Sequence, residues 1–208
     1  MERKHIITLS GKPGSGKSST SDRVAEMLGY TRYSSGSIVR SILEEQNLTM
    51  QEYNEQAKND HALDTKVDEA LRDLRDKRDV VVDSRLGFYW IPESFKVYLD
   101  LDIDVATARI FNDKQSNRER ANESHTTLAE ASSMVRARMQ AERSRFRQMY
   151  RIDPFDASHF DLVIDTSRHS PETVAITVFD NYQKWLNSDT WKPIHSSIPI
   201  GYSFKNKY

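Results

Sequence analysis

Apolar residues in this chain follow two alternating rhythms. Short runs rich in β-branched residues, HIITLS (5–10), TRYS (31–34), DVVVDS (79–84), FKVYLDL (95–101) and DLVIDTS (161–167), read as strands. Three of them are nearly continuous, as expected of strands covered on both faces. Between them lie longer stretches at helical spacing. The first helix is predicted to open at Lys17 or Ser18 and run to Leu28, with Gly29 just past its end. Residues 37–78 read as mostly helical, with Ile38, Val39, Ile42 and Leu43 and then a stripe of Leu63, Val67, Leu71 and Leu74. A second charged helical stretch covers 104–150. The last helix starts at SPET, with Ser170 as N-cap and Pro171 at the first helical position, and buries Ala175, Val178, Phe179, Tyr182 and Leu186. Strands alternating with helices predict a three-layer α/β/α fold around a five-stranded parallel sheet with right-handed crossovers. The tail, SDTWKPIHSSIPIGYSFKNKY, breaks both rhythms.

Composition narrows the partners. The 208 residues suit one α/β domain with small subdomains. Thirty basic and 31 acidic residues give a net charge of -1, with no global pull toward nucleic acid or anionic membrane. The absence of cysteine excludes disulfides and thiolate metal sites. The segment MERKHIITLS is too short in apolar residues for a signal peptide, and no run reaches the length of a membrane span. The expectation is a soluble, cytoplasmic monomer without nucleic-acid or membrane partners.

The first strand runs into GKPGSGKSST, in which Gly11, Gly16, Lys17 and Ser18 fit G-x-x-x-x-G-K-[ST] between a strand and a helix. Glycines let the loop curl so that consecutive N–H groups and the helix N-terminus cradle a polyphosphate. Gly11, Lys12, Pro13, Gly14, Ser15, Gly16, Lys17, Ser18 and Ser19 are therefore the expected ATP-binding residues. Lys17 should reach the β- and γ-phosphates, and the Ser18 hydroxyl should ligate Mg²⁺.

This motif admits a GTPase, a small kinase or a motor ATPase. No N-K-x-D follows a later strand, and a motor would need a longer chain. A kinase needs a second phosphate site, and two segments offer one. SSGSIVR follows the second strand, with Ser35, Gly36 and Arg40; DSR follows the third, with Arg85. Carboxyl ends of parallel strands share one edge, so these residues should converge on an acceptor phosphate, which two arginines can grip in a forked manner. RARMQAERSRFRQMYR adds an arginine-rich helix. Arg136, Arg143, Arg147 and Arg151 share one face, and Arg138 and Arg145 another, with Glu142 at i+4 from Arg138. It reads as a lid that neutralises transferring charge and excludes water, or alternatively as a solvated basic face or an RNA contact.

In order along the chain, IITLSGKPGSGKS, SSGSIVR, VVVDSRL, YLDLDIDVATARI, RMQAERSRF, YRID and FDLVIDTS resemble the cytidylate kinases, most closely the short archaeal-type branch. The resemblance implies phosphoryl transfer from ATP with Mg²⁺ to CMP or dCMP. It implies Arg40 and Arg85 on the acceptor phosphate, Arg138, Arg145 and Arg151 around the transferred group, and Arg109 on the ATP side. The expected division is a kinase domain over 1–187, with an acceptor-binding helical region at about 37–78 and a lid at about 112–152, followed by a tail over 188–208. Lys12 stands where the family usually has proline, Arg151 replaces a glycine, and the insert NRERANESHTTLAEASS is long. Asp68 stands where the longer bacterial branch has a base-contacting arginine. Asp153 is the candidate for the cytosine amino group, since a carboxylate accepts from an exocyclic N–H; a loop or cap role is the alternative. AMP, UMP, shikimate or a nucleoside are rival acceptors, and a non-catalytic nucleotide- or RNA-binding module is the rival of another class.

Overall fold

In the computed structural model, which describes residues 3–49, 52, 62–116 and 127–196, six parallel strands form one sheet in the order β2-β3-β1-β4-β5-β6. The strands are β1 (Ile6–Gly11), β2 (Thr31–Ser34), β3 (Val80–Asp83), β4 (Phe95–Asp100), β5 (Leu162–Asp165) and β6 (Ile194–Ser196). The helices are α1 (Lys17–Leu28), α2 (Ser35–Glu45), α3 (Ala62–Asp73), the single turn α4 (Gly87–Trp90), α5 (Ile103–Ser116), α6 (Leu128–Tyr150) and α7 (Pro171–Leu186). All five expected strands form. The sixth corrects the expectation: residues of the tail pair with β5, Leu162 beside Ile194. The remainder of the tail from 197, the inter-helical segment 53–61, Leu63 of the stripe as a side chain, and residues 117–126 of the insert lie outside the described residues.

Alternation along the central strands feeds both faces of the sheet. Ile7 and Leu9 of β1 join Phe95, Val97 and Leu99 of β4 under α1 and α7, against Val24, Val178, Tyr182 and Trp185. On the opposite face Ile6, Val80 and Val82 meet Leu71 and Leu74, with Val67 alongside, so the stripe on α3 is the contact face anticipated for it. Each large apolar side chain sealed this way contributes about 1.5–3 kcal/mol. That is enough for burial to dominate the weak local preferences of four-residue strands. The buried apolar face of α7 is Val174, Ala175, Val178, Tyr182 and Trp185; of the expected set, Phe179 and Leu186 are only partly buried, and Trp191 of the tail packs beside Phe95.

Helix ends follow their local chemistry. Thr127 and Glu130 close a reciprocal capping box at the start of α6. Ser170 accepts from the Thr173 N–H, with Pro171 inside the first turn of α7. At the far end of α6, Arg151 sits at φ 59 and donates its N–H to the Arg147 carbonyl. A side-chain-bearing residue in this left-handed conformation carries a penalty that glycine lacks. Arg151→Gly is accordingly expected to raise unfolding stability by about 1 kcal/mol, read as a higher urea midpoint at unchanged m-value.

Candidate active site

Strand order decides what meets at the carboxyl edge. With β3 between β2 and β1, Ser34 lies level with Asp83, and Leu9 with Asp83 on the other side. Loops after β1, β2 and β3 therefore emerge side by side. Gly11 touches β4 so closely that a Cβ would stand 2.3 Å from the Leu99 carbonyl oxygen, which also accepts from the Lys12 N–H at 3.2 Å. At Gly16, φ is 80 and a Cβ would meet nothing within 4 Å. The space in front of the helix start is left clear, as a phosphate cradle requires. Lys12 turns away from that space: its ammonium lies 2.6 Å from Asp100 and 3.1 Å from the Leu101 carbonyl. The extra charge beside the loop is thereby compensated at the end of β4.

Lys17 and Ser18 point to Asp83. The Ser18 hydroxyl donates to Oδ2 at 2.9 Å, and the Lys17 ammonium lies 3.8 Å from Oδ1. Arg32 donates to Oδ2 as well, at 3.0 Å. Burial, and secondly the nearby Arg85 guanidinium, push the Lys17 pKa down to about 8 against the opposing pull of Asp83. A hydroxyl and a buried carboxylate next to a phosphate cradle are the hard oxygen donors Mg²⁺ takes, with phosphate and water completing its shell. The residues thus fit the ion. Asp83 thus gathers Lys17, Ser18 and Arg32, and the sequence reading assigned it no role; its only signal is an acid closing an apolar strand run.

On the side of the rim where an acceptor is expected stands Arg85. Its Nε donates to Glu142 Oε2 at 2.6 Å, while its Nη1 is buried without an acceptor among the described residues. Glu142 also accepts from Arg138 Nε on its other oxygen, at 3.2 Å. Burial works to raise the Glu142 pKa, but the two guanidiniums outweigh it and hold the carboxyl below its ordinary value. Arg138 and Arg85 both act on the Lys17 charge, so the phosphate loop and these two arginines share one field. Ser34 caps α2 by accepting from the Ser37 N–H, and the Ser35 hydroxyl donates to the Asp83 carbonyl at 3.4 Å. Arg40 folds back over this turn: its Nη1 would lie 3.6 Å from a Cβ at Gly36.

Other expected residues are placed as follows. Arg109 reaches across the phosphate loop, donating to the Gly14 carbonyl at 3.4 Å and to the Thr166 carbonyl at 2.7 Å. Pro13 and Ser15 are buried in the loop and Ser19 is exposed on α1. Arg145 is 3.7 Å from Asp64 on α3 and is not drawn to Lys17. Nearby, Asp68 accepts from Trp90 Nε1 at 2.9 Å and from the Tyr150 hydroxyl, which ties α3 to the end of α6. Asp153 takes Arg143 at 2.9 Å, Arg147 at 2.8 Å and the Phe155 N–H at 3.1 Å. Its carboxylate is thus engaged by two arginines and a backbone N–H at the base of α6. Arg151 is exposed at the helix end and, among the described residues, has no ion-pair partner.

A parallel sheet with a phosphate loop after its central strand, a carboxylate beside the loop lysine and a second cationic site on the same rim defines a P-loop kinase. The chain matches the cytidylate kinase-like family over residues 6–168 and belongs to it. A cytidylate kinase of Halobacterium salinarum is 34% identical over 178 residues, covering 84% of this chain and 88% of that one. An S-adenosylmethionine-dependent nucleotide dehydratase of Lacinutrix mariniflava is 36% identical over 200 residues, covering 91% of this chain but only 40% of its own length. A solved shikimate kinase from Bacteroides thetaiotaomicron shares the fold at TM-score 0.60 and 13% identity, over 88% of this chain and 98% of its own. Fold and family together make this protein a nucleoside monophosphate kinase, which implies ATP as the phosphate donor. No described helix is long and apolar enough to cross a membrane.

Proposed function

We propose that the protein phosphorylates CMP or dCMP with MgATP. The observation that carries this reading is the proximity of Lys17 to Arg85, which keeps a buried Nη1 that no group among the described residues satisfies. A buried donor without a partner is costly, and an incoming phosphate oxygen would satisfy it.

On this reading the phosphate loop and Lys17 hold the β- and γ-phosphates, and Arg109 steadies the loop from the side of α5. Arg40 and Arg85 hold the acceptor phosphate. One of its oxygens attacks the γ-phosphorus, the bond to the β–γ bridging oxygen breaks, and ADP leaves. The acceptor oxygen is already nucleophilic, so the residues position and neutralise rather than abstract a proton. Ser18 and Asp83 would hold Mg²⁺, which neutralises phosphate charge when bound. Arg138 covers the transferring group, and Arg145 would join it once released from Asp64. Residues 37–78 act as the acceptor-binding region and 112–152 as the lid of a kinase domain spanning 1–187, to whose sheet the tail adds β6.

The test is ADP release from MgATP with CMP, dCMP, UMP, AMP and shikimate in turn. CMP or dCMP is expected to give a kcat/KM at least tenfold above the others. Preference for another acceptor would replace the substrate assignment, and no acceptor-dependent release at all would favour a binding module.

A further inference from the structure

We propose that Phe155 is a positioning residue for Arg85, fixing the plane of its guanidinium so that Nη1 stays turned toward the acceptor phosphate. The inference rests on the reading of Arg85 as an acceptor-phosphate arginine.

An arginine usually forks a carboxylate with two nitrogens. Arg85 instead meets Glu142 through Nε. A guanidinium held at one nitrogen can swing about that contact, and two features oppose the swing. The second Glu142 oxygen is engaged by Arg138. The Phe155 ring faces the guanidinium, with Cζ 5.4 Å from the ring centroid. Arg143 lies over the same ring, also at 5.4 Å, so one aromatic side chain attracts two cations. Attraction of each cation to the ring offsets the repulsion between them.

Phe155 is itself held firmly. Its N–H donates to Asp153, whose carboxylate grips Arg143 and Arg147. Its ring packs against the cluster of Leu86, Phe88, Tyr98, Phe146 and Phe160. The base of the lid helix therefore sets the ring, and the ring sets the arginine. The aromatic face is the chemically necessary part, since an aliphatic side chain of similar volume could fill the space without attracting the cation.

The experiment compares Phe155→Leu, Phe155→Tyr and Arg85→Ala in the full chain, using the monophosphate that the acceptor panel selects. Phe155→Leu is expected to raise the acceptor KM about tenfold while the ATP KM stays within about twofold, in keeping with the strength of a partly desolvated cation–π contact. Phe155→Tyr is expected to restore the wild-type value. Adding Phe155→Leu to Arg85→Ala should bring no further loss, because the ring would have nothing left to position. A wild-type acceptor KM in Phe155→Leu, equal rises in both KM values, or full additivity with Arg85→Ala would overturn the proposal. If Arg85→Ala itself leaves acceptor use unchanged, the failure lies instead in the underlying assignment of Arg85. A urea midpoint for each variant shows that folded protein is being compared.

Discussion

Replacing Lys17 with alanine is expected to lower kcat by three orders of magnitude or more, on the scale of removing a principal charge from a phosphoryl-transfer site, without loss of fold. The second half of this expectation follows from sign. The Lys17 pKa in the folded chain is about 8, below the ordinary 10.5. Between those values the unfolded chain keeps a proton that the folded chain has shed, so stability rises with pH through that window. Below about pH 8 the folded chain carries a buried ammonium at a standing cost. Lys17→Ala removes the cost, and Asp83 retains Ser18 and Arg32 as partners. The urea midpoint at pH 7 should equal or exceed that of the native chain. A bound triphosphate reverses the balance by favouring the ammonium. ATP binding near pH 8 should therefore take up a proton, seen as a dependence of the calorimetric heat on buffer ionisation enthalpy, and affinity should fall as pH rises further. Retained turnover in Lys17→Ala would remove the phosphate loop from the mechanism.

Replacing Arg85 with alanine should lower kcat/KM for the acceptor by about 10²–10³, with the ATP KM nearly unchanged. Lysine should rescue little. It is a point charge on a flexible stem, and cannot hold Glu142 at one nitrogen while offering another to a phosphate. Loss of Arg85 also leaves Glu142, among the described residues, with Arg138 as its remaining ion-pair partner. Activity should therefore fall more steeply than a single missing hydrogen bond implies, because an under-compensated carboxylate would then face an incoming anion. Steady-state kinetics varying one substrate at a time distinguish these effects. An unaltered acceptor KM would remove the argument for a second phosphate site on this rim.

The sequence shows some of this site directly and hides the rest for physical reasons. The phosphate loop is legible because its spacing and its strand–helix context are local. The three nearly continuous apolar runs are legible because burial on both faces demands continuous Val, Ile and Leu, whereas TRYS at the sheet edge carries only alternation with its neighbouring helices. Ile194–Ser196 is not, since three residues amid polar neighbours carry no period and become a strand only through pairing with β5. Asp83 stayed hidden because its importance depends on β3 lying next to β1, a fact of sheet order. Helical spacing correctly set Arg138 and Glu142 together. It could not assign Arg145 to Asp64, or Arg143 and Arg147 to Asp153, because those partners come from other segments of the chain. The replacement of glycine by Arg151 was visible as an oddity; its meaning, a left-handed helix end, required the backbone.

Glu142 gives the cleft an anion of its own. A single carboxylate straddles Arg85 and Arg138, so both guanidiniums are partly neutralised before any ligand arrives. On the proposed reading, an incoming phosphate would meet cations already tempered by this counter-ion, which would limit the grip on a charged product and favour throughput over tenacity.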